Sequence, residues 1–288
     1  MFNLNKEEFT AKYKKNIPQI LTQEIIADTE TPVSTLLKVS KNEKYSFLLE
    51  SVEGGEQRGR YSLLGCNPDI IWKVDSGKIE IKSFDFEINN KLINQNDPIL
   101  SLKELLEYSK IENNNKETPY PVLVGYLGYP MIKYMEKIKL KNIDSINIPE
   151  AIMIRPKVVA VFDNIKDIIS IMSAVYPNKR ITAEDAYNNA KKRISDFIGK
   201  INSGYIKDNM FNNINKNNKI KFKSNYSKEE YFTIIDKAKK YIRKGDIFQV
   251  VTSQRFISDY KLNAKHLYRS LRRLNPSPFL VNLIPPEF

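Results

Sequence analysis

From residue 45 to residue 176 the chain repeats short apolar runs rich in β-branched and aromatic residues. These are Tyr45–Leu49, Arg60–Leu64, Ile70–Val74, Lys78–Lys82, Val122–Tyr126, Ile152–Phe162 and Ile168–Tyr176. Runs of this length and composition read as strands. The pair Ile70–Val74 and Lys78–Lys82 reads as a hairpin around Asp75-Ser76-Gly77, its second arm polar on alternate positions and so wet on one face. A turn at Asp163-Asn164 joins the last two runs. Helical patterns interrupt the strands irregularly. Asn5–Lys15 has acidic residues early and lysines late, as the helix dipole favours. Ser101–Lys110 has Ser101 and Glu104 at capping-box spacing. Thr182–Ile198 opens on an N-cap threonine and carries Tyr187, Ala190, Ile194 and Phe197 on one stripe. Without strict β-α-β alternation, the pattern favours an α+β fold, a layered sandwich of largely antiparallel sheets flanked by helices, over a doubly wound one.

The chain has 288 residues and a mass of 33.5 kDa, enough for one large or two ordinary domains. The clearest boundary is the Asn- and Lys-rich stretch 202–224, which reads as a linker. It separates a domain at 1–201 from a segment at 225–288. In that segment Ser227 and Glu230 form a second capping box, and Tyr231, Ile235, Ala238 and Ile242 share a helix face that Gly245 terminates. Ile247–Phe256 reads as a strand, and Asn263–Leu274 as a helix with Leu267, Leu271 and Leu274 inward.

Charge and composition exclude several functions. Lysine plus arginine exceeds aspartate plus glutamate by 46 − 34 = +12, but only ten of the basic residues are arginine and the lysines are scattered. Nucleic-acid surfaces favour arginine forks and aromatic platforms, so no nucleic-acid partner is expected. No apolar run approaches the length of a membrane span, and the first residues carry no signal-peptide core. One cysteine, Cys66, and one histidine, His266, leave neither an intrachain disulfide nor a thiolate or His-rich metal site. A cytoplasmic, reducing setting is expected. Cys66 reads as a turn residue at a strand end, and His266 as a solvated helix-face residue.

P-loop, GxGxxG, HExxH and G-x-S-x-G signatures are absent. Five short strings stand out instead: LLES (48–51), GRYSLLG (59–65), GYLGY (125–129), GDIFQVVTSQRF (245–256) and NPSPF (275–279). Gly125 and Gly128 mark places where backbone passes close to something bulky. The prolines of NPSPF make a rigid, extended turn. In this order the strings resemble component I of anthranilate synthase, and the resemblance runs from about residue 5 to about residue 280.

The resemblance implies an enzyme of tryptophan biosynthesis. Such an enzyme converts chorismate and ammonia, the latter delivered by a glutamine amidotransferase partner (component II), to anthranilate and pyruvate. It also implies Mg²⁺ held by carboxylates, and feedback inhibition by tryptophan. By resemblance Glu50 and Ser51 form one wall of the tryptophan site, and Pro278, Phe279 and Leu280 the other. The chemistry agrees: Glu50 can pair with an ammonium, Ser51 can hydrogen-bond, and Pro278 with Phe279 can face an indole. The family has Tyr then Met where this chain has Phe279 then Leu280, so a hydroxyl is lost.

In the family the catalytic histidine, the glycine-rich substrate loop and the Mg²⁺-binding glutamates lie beyond NPSP, with no counterpart here. The C-terminal half of the chorismate-binding domain is therefore expected to be missing. No catalytic or metal residue is assigned, and the chain alone is expected to be inactive and prone to aggregate. The alternatives are component I of aminodeoxychorismate synthase, or a non-catalytic tryptophan-binding fragment.

Overall fold

A computed structural model describes residues 2–40, 45–51, 59–84, 93–111, 118–140, 147–204, 221–259, 263–275 and 277–284. The expected linker lies mostly outside the described residues. The chain packs as two compact units, Met1–Ile206 with Tyr268–Phe288, and Lys207–Leu267.

In chain order the first unit contains α1 (Lys6–Lys14), β1 (Gln19–Ile26), α2 (Pro32–Val39), β2 (Ser46–Ser51), β3 (Tyr61–Asp75) and β4 (Lys78–Ser83). It continues with α3 (Pro98–Tyr108), β5 (Val124–Leu127), a 3-10 turn (Tyr129–Tyr134), β6 (Ala151–Asp163), β7 (Ile168–Val175) and α4 (Ala183–Asn202). The second unit holds β8 (Lys223–Ser224), α5 (Lys228–Arg243) and β9 (Phe256–Ile257). Then come α6 (Ala264–Leu274), whose residues from Tyr268 belong to the first unit, and β10 (Phe279–Ile284). An eight-stranded sheet runs β1-β7-β6-β3-β2-β10, with β4 beside β3 and β5 beside β6, every pair antiparallel. The α+β architecture expected from the sequence is the one observed.

Two strands expected to be separate are one. β3 passes without a break through Gly65-Cys66-Asn67-Pro68. Asn67 adopts φ 53° and the register against β6 shifts between Pro68 and Ile70, a bulge that absorbs the irregular residues. Pro68 faces Pro156 of β6, and neither has an N–H to lose from the ladder. Cys66 is therefore a buried strand residue, not a turn residue. At Gly65 the ring of paired Phe47 fills the space a Cβ would need, at 2.4 Å. A Cβ at Gly125 would lie 1.9 Å from the Ile152 carbonyl oxygen, the close approach its place in the sequence suggested.

The sheet buries both faces. On one, Phe9 of α1, Leu36 and Val39 of α2, and Ala190, Ile194 and Phe197 of α4 close over Leu21, Leu48, Leu64, Val158, Ala160 and Ile171. On the other, Ile20, Phe47, Ile71, Val159, Val161 and Met172 form a second cluster. Helix α3 covers a third, around Trp72. It starts earlier than its capping-box spacing suggested: Asp97 caps the Ile99 and Leu100 N–H groups and Pro98 occupies the first turn. Ser101, buried one turn in, instead accepts the Trp72 indole N–H at 3.0 Å. The most deeply buried ion pair among the described residues of this unit joins β6 to β3. Arg155, 1% exposed, donates to both Asp69 carboxylate oxygens at 2.7 Å and lies 3.8 Å from the Tyr176 ring centroid. Burial disfavours the Arg155 charge, but Asp69 outweighs it and holds the guanidinium protonated. Burial pushes the Tyr176 phenol up to about 12.

In the second unit α5 starts at the Ser227–Glu230 capping box, as expected. Residues 247–255 do not form the expected strand; only Phe256–Ile257 pair, with Lys223–Ser224. A long strand needs a long neighbour, and β8 is two residues. No α5 residue is buried, and Phe248 and Val251 are 94% and 82% exposed. In α6 the buried side chain is Tyr268, while Leu267, Leu271 and Leu274, expected inward, are exposed.

Candidate functional site

β2 and β10 bring together two parts of the sequence more than two hundred residues apart. In their antiparallel register Leu280 lies opposite Glu50 and Phe279 opposite Ser51. Both walls expected from the sequence thus meet at one ladder end, where β2 stops and β10 starts, with Pro278 exposed just outside it. The pleat divides them by face. Leu48 and Leu280 pack with the helix-side cluster, and Phe47, Leu49 and Leu283 with the opposite one. Glu50 and Leu280 therefore point toward the helices, whereas Ser51 and Phe279 point the other way.

Glu50 is 3% exposed, and a carboxylate so buried needs partners. It finds them on α6, where Tyr268 and Arg272 are one turn apart and reach the same atom. The Tyr268 hydroxyl donates to Glu50 Oε2 at 2.5 Å and Arg272 Nε–H donates to it at 3.0 Å. Burial, then the neighbouring carboxylate, hold the Tyr268 phenol well above its ordinary range, so it stays a donor. The Arg272 side chain remains 40% exposed. No motif marked Tyr268 or Arg272; their only signal was the spacing of four on a helix.

Beside this network is a cavity of about 550 Å³ lined by Glu50, Ser51 and Arg272, together with Asp28, Asp163 and Asp167. Arg272 is the one cation among its described lining residues. Pro278, Phe279 and Leu280 flank the ladder end without lining the cavity. Burial would raise the Asp163 carboxyl, but Arg60 at 2.9 Å and the N–H groups of Ile165 and Lys166 outweigh it and hold it below its usual range. A carboxyl lowered on folding contributes stability that is full above its unfolded value and is lost as pH falls through its folded one. Asp163→Asn is accordingly expected to destabilise the chain at pH 7 and to converge with the unmutated chain as pH falls below the ordinary carboxylate range, read from urea melts at a series of pH values. A difference independent of pH would contradict this.

Among the described residues no cluster of three or more His, Cys, Asp or Glu side chains is placed to hold a metal ion. No helix among them is long and apolar enough to cross a membrane. His266 is half-buried rather than solvated.

Residues 44–287 match the family model for chorismate binding enzymes. The chain belongs to the chorismate-binding enzyme family. Within it, component 1 of anthranilate synthase from Cereibacter sphaeroides is 37% identical over 278 residues, covering 95% of this chain and 55% of that protein. The protein of the same name from Aquifex aeolicus is 34% identical over 287 residues, covering 98% and 56%. This member thus spans about half the length of the curated relatives it matches. In fold it resembles anthranilate synthase component I from Streptococcus pneumoniae, with a TM-score of 0.56 at 23% identity over 88% of this chain and 53% of that one. The menaquinone-specific isochorismate synthase of Escherichia coli gives 0.50 at 11% identity over 98% and 52%.

Proposed function

We propose that this chain carries the inhibitor-binding part of an anthranilate synthase component I. That enzyme would make anthranilate and pyruvate from chorismate with ammonia from a glutamine amidotransferase partner, and tryptophan would inhibit it. The observation that carries this reading is the β2–β10 ladder, which sets Glu50 and Ser51 beside Pro278, Phe279 and Leu280. At that ladder end Glu50 would accept an amino acid's ammonium from the cavity side. Ser51, at the rim, would hydrogen-bond the ligand, and Leu280, on the same sheet face as Glu50, would flank an indole with Pro278 at the ladder end, whereas Phe279 faces away. The relatives' names support the enzyme class. Mg²⁺ belongs to the proposed reaction, and none of the described residues is assigned to hold it.

L-tryptophan at 100 times its Kd would stabilise a folded binder by about 2.7 kcal/mol, an upward shift of about 5 °C or more in melting temperature. Glu50→Ala is expected to abolish the shift. A shift that survives in Glu50→Ala, or no shift at millimolar tryptophan, would contradict the assignment. Given chorismate, ammonia and Mg²⁺, the 288-residue chain by itself is expected to form no anthranilate, and growing anthranilate fluorescence would overturn that expectation.

A further inference from the structure

The group that pairs with Glu50 belongs to the chain itself. We propose that Arg272 is a resident competitor for a ligand's ammonium, holding the Glu50 carboxylate in the unliganded protein and leaving it when an amino acid binds. The inference rests on the amino-acid reading of this site and adds to it a residue that sets affinity and selectivity.

Glu50 is nearly sealed from water, so it requires a cation whether or not a ligand is present. Without one, Arg272 fills that need through its Nε–H. A ligand ammonium entering from the cavity meets Arg272 at once, because Arg272 and Glu50 line the same space. Two cations on one buried carboxylate repel strongly at low dielectric, so one must go.

The geometry decides which one. Arg272 is 40% exposed on its side chain and carries its charge at the end of a long flexible stem, so it can swing off the carboxylate without disturbing its helix. The same cavity offers Asp28 and Asp167, whose carboxylates can receive a displaced guanidinium. Tyr268 does not compete: it is 6% exposed, uncharged and a permanent donor, so it stays and orients the carboxylate for whichever cation is present. Binding then exchanges one ion pair for another. A ligand with a ring and a carboxylate but no ammonium cannot make that exchange.

Affinity is reduced by the fraction of molecules whose Glu50 is already taken. If Arg272 holds Glu50 nine times in ten, Arg272→Gln raises tryptophan affinity roughly tenfold. Glutamine keeps an N–H donor for Glu50 while removing the charge. Isothermal titration of the full 288-residue chain is the test, with L-tryptophan and with indole-3-propionate, which lacks the ammonium. The expected result is a roughly tenfold tighter Kd for tryptophan in Arg272→Gln and an unchanged Kd for indole-3-propionate. Tryptophan affinity that is unchanged or weaker in Arg272→Gln, with binding intact in the unmutated chain, overturns the competitor role alone. No tryptophan binding by either protein, both folded by circular dichroism, overturns the underlying site assignment as well. Should Arg272→Gln fail to fold, the arginine Nε–H resonance of the unmutated chain, assigned by its loss in Arg272→Lys, gives a second readout. It is expected to move on adding tryptophan and not indole-3-propionate; a resonance that stays put with tryptophan bound overturns the proposal.

Discussion

Replacing Asp69 with alanine is expected to lower the unfolding free energy by about 3–5 kcal/mol, because it strands the Arg155 guanidinium inside the first unit. Arg155 is 1% exposed, and it donates to both Asp69 carboxylate oxygens at 2.7 Å, with Ser109 Oγ at 3.2 Å and the Tyr176 ring beside it. The pair also spans the bulge where β3 shifts register against β6, so its loss loosens that ladder near Pro68 and Ile70. Removing both charges together, as Asp69→Leu with Arg155→Met, is expected to cost much less than the single substitution, since no uncompensated charge is left. Urea melts followed by circular dichroism give both values. A single-mutant loss below about 1 kcal/mol would show that Arg155 can reach water, contrary to its burial.

Trp72→Ala is expected to cost a similar amount, about 3–5 kcal/mol, through the cavity it opens between β3 and α3. Trp72 is fully buried with Ile70, Val74, Ile93 and Leu105, and its indole N–H satisfies the buried Ser101 hydroxyl. Trp72→Phe keeps most of the ring and should cost about 1–2 kcal/mol, mainly the lost hydrogen bond and the orphaned hydroxyl. Equal losses for the two substitutions would contradict a packing role for the ring.

Elements whose apolar residues kept a clean period could be read directly. The α4 stripe of Tyr187, Ala190, Ile194 and Phe197 is buried as its spacing requires, and β6 and β7 match their apolar runs to within a residue or two. What failed did so for identifiable reasons. Cys66, Asn67 and Pro68 look like a turn because each residue locally favours one, yet pairing with β2 and β6 on either side carries β3 straight through. Ile247–Phe256 has strand composition, but composition cannot supply a neighbour of matching length, and Phe248, Val250, Val251 and Phe256 stay exposed. β1 and β10 were overlooked, as strands at the two ends of the sheet path: Gln19–Ile26 mixes polar with apolar residues, and Phe279–Ile284 follows immediately on a proline turn.

The candidate site divides along similar lines. Nothing in composition or periodicity linked Glu50 to Pro278, Phe279 and Leu280; only the family resemblance did, and the β2–β10 register supplies the physical link. Tyr268 and Arg272 were invisible because an i, i+4 pair on a helix is informative only once its target is known. The inward prediction for Leu267, Leu271 and Leu274 had placed a different face of α6 in the core.

The ladder end is the center of the account, and amide hydrogen exchange with and without saturating L-tryptophan tests it most directly. Binding there is expected to slow exchange selectively in peptides covering residues 46–51 and 279–284, with little change across β1 and β7. Tryptophan that binds while leaving those two strands unchanged, or that protects a different part of the sheet, would contradict the placement of the site.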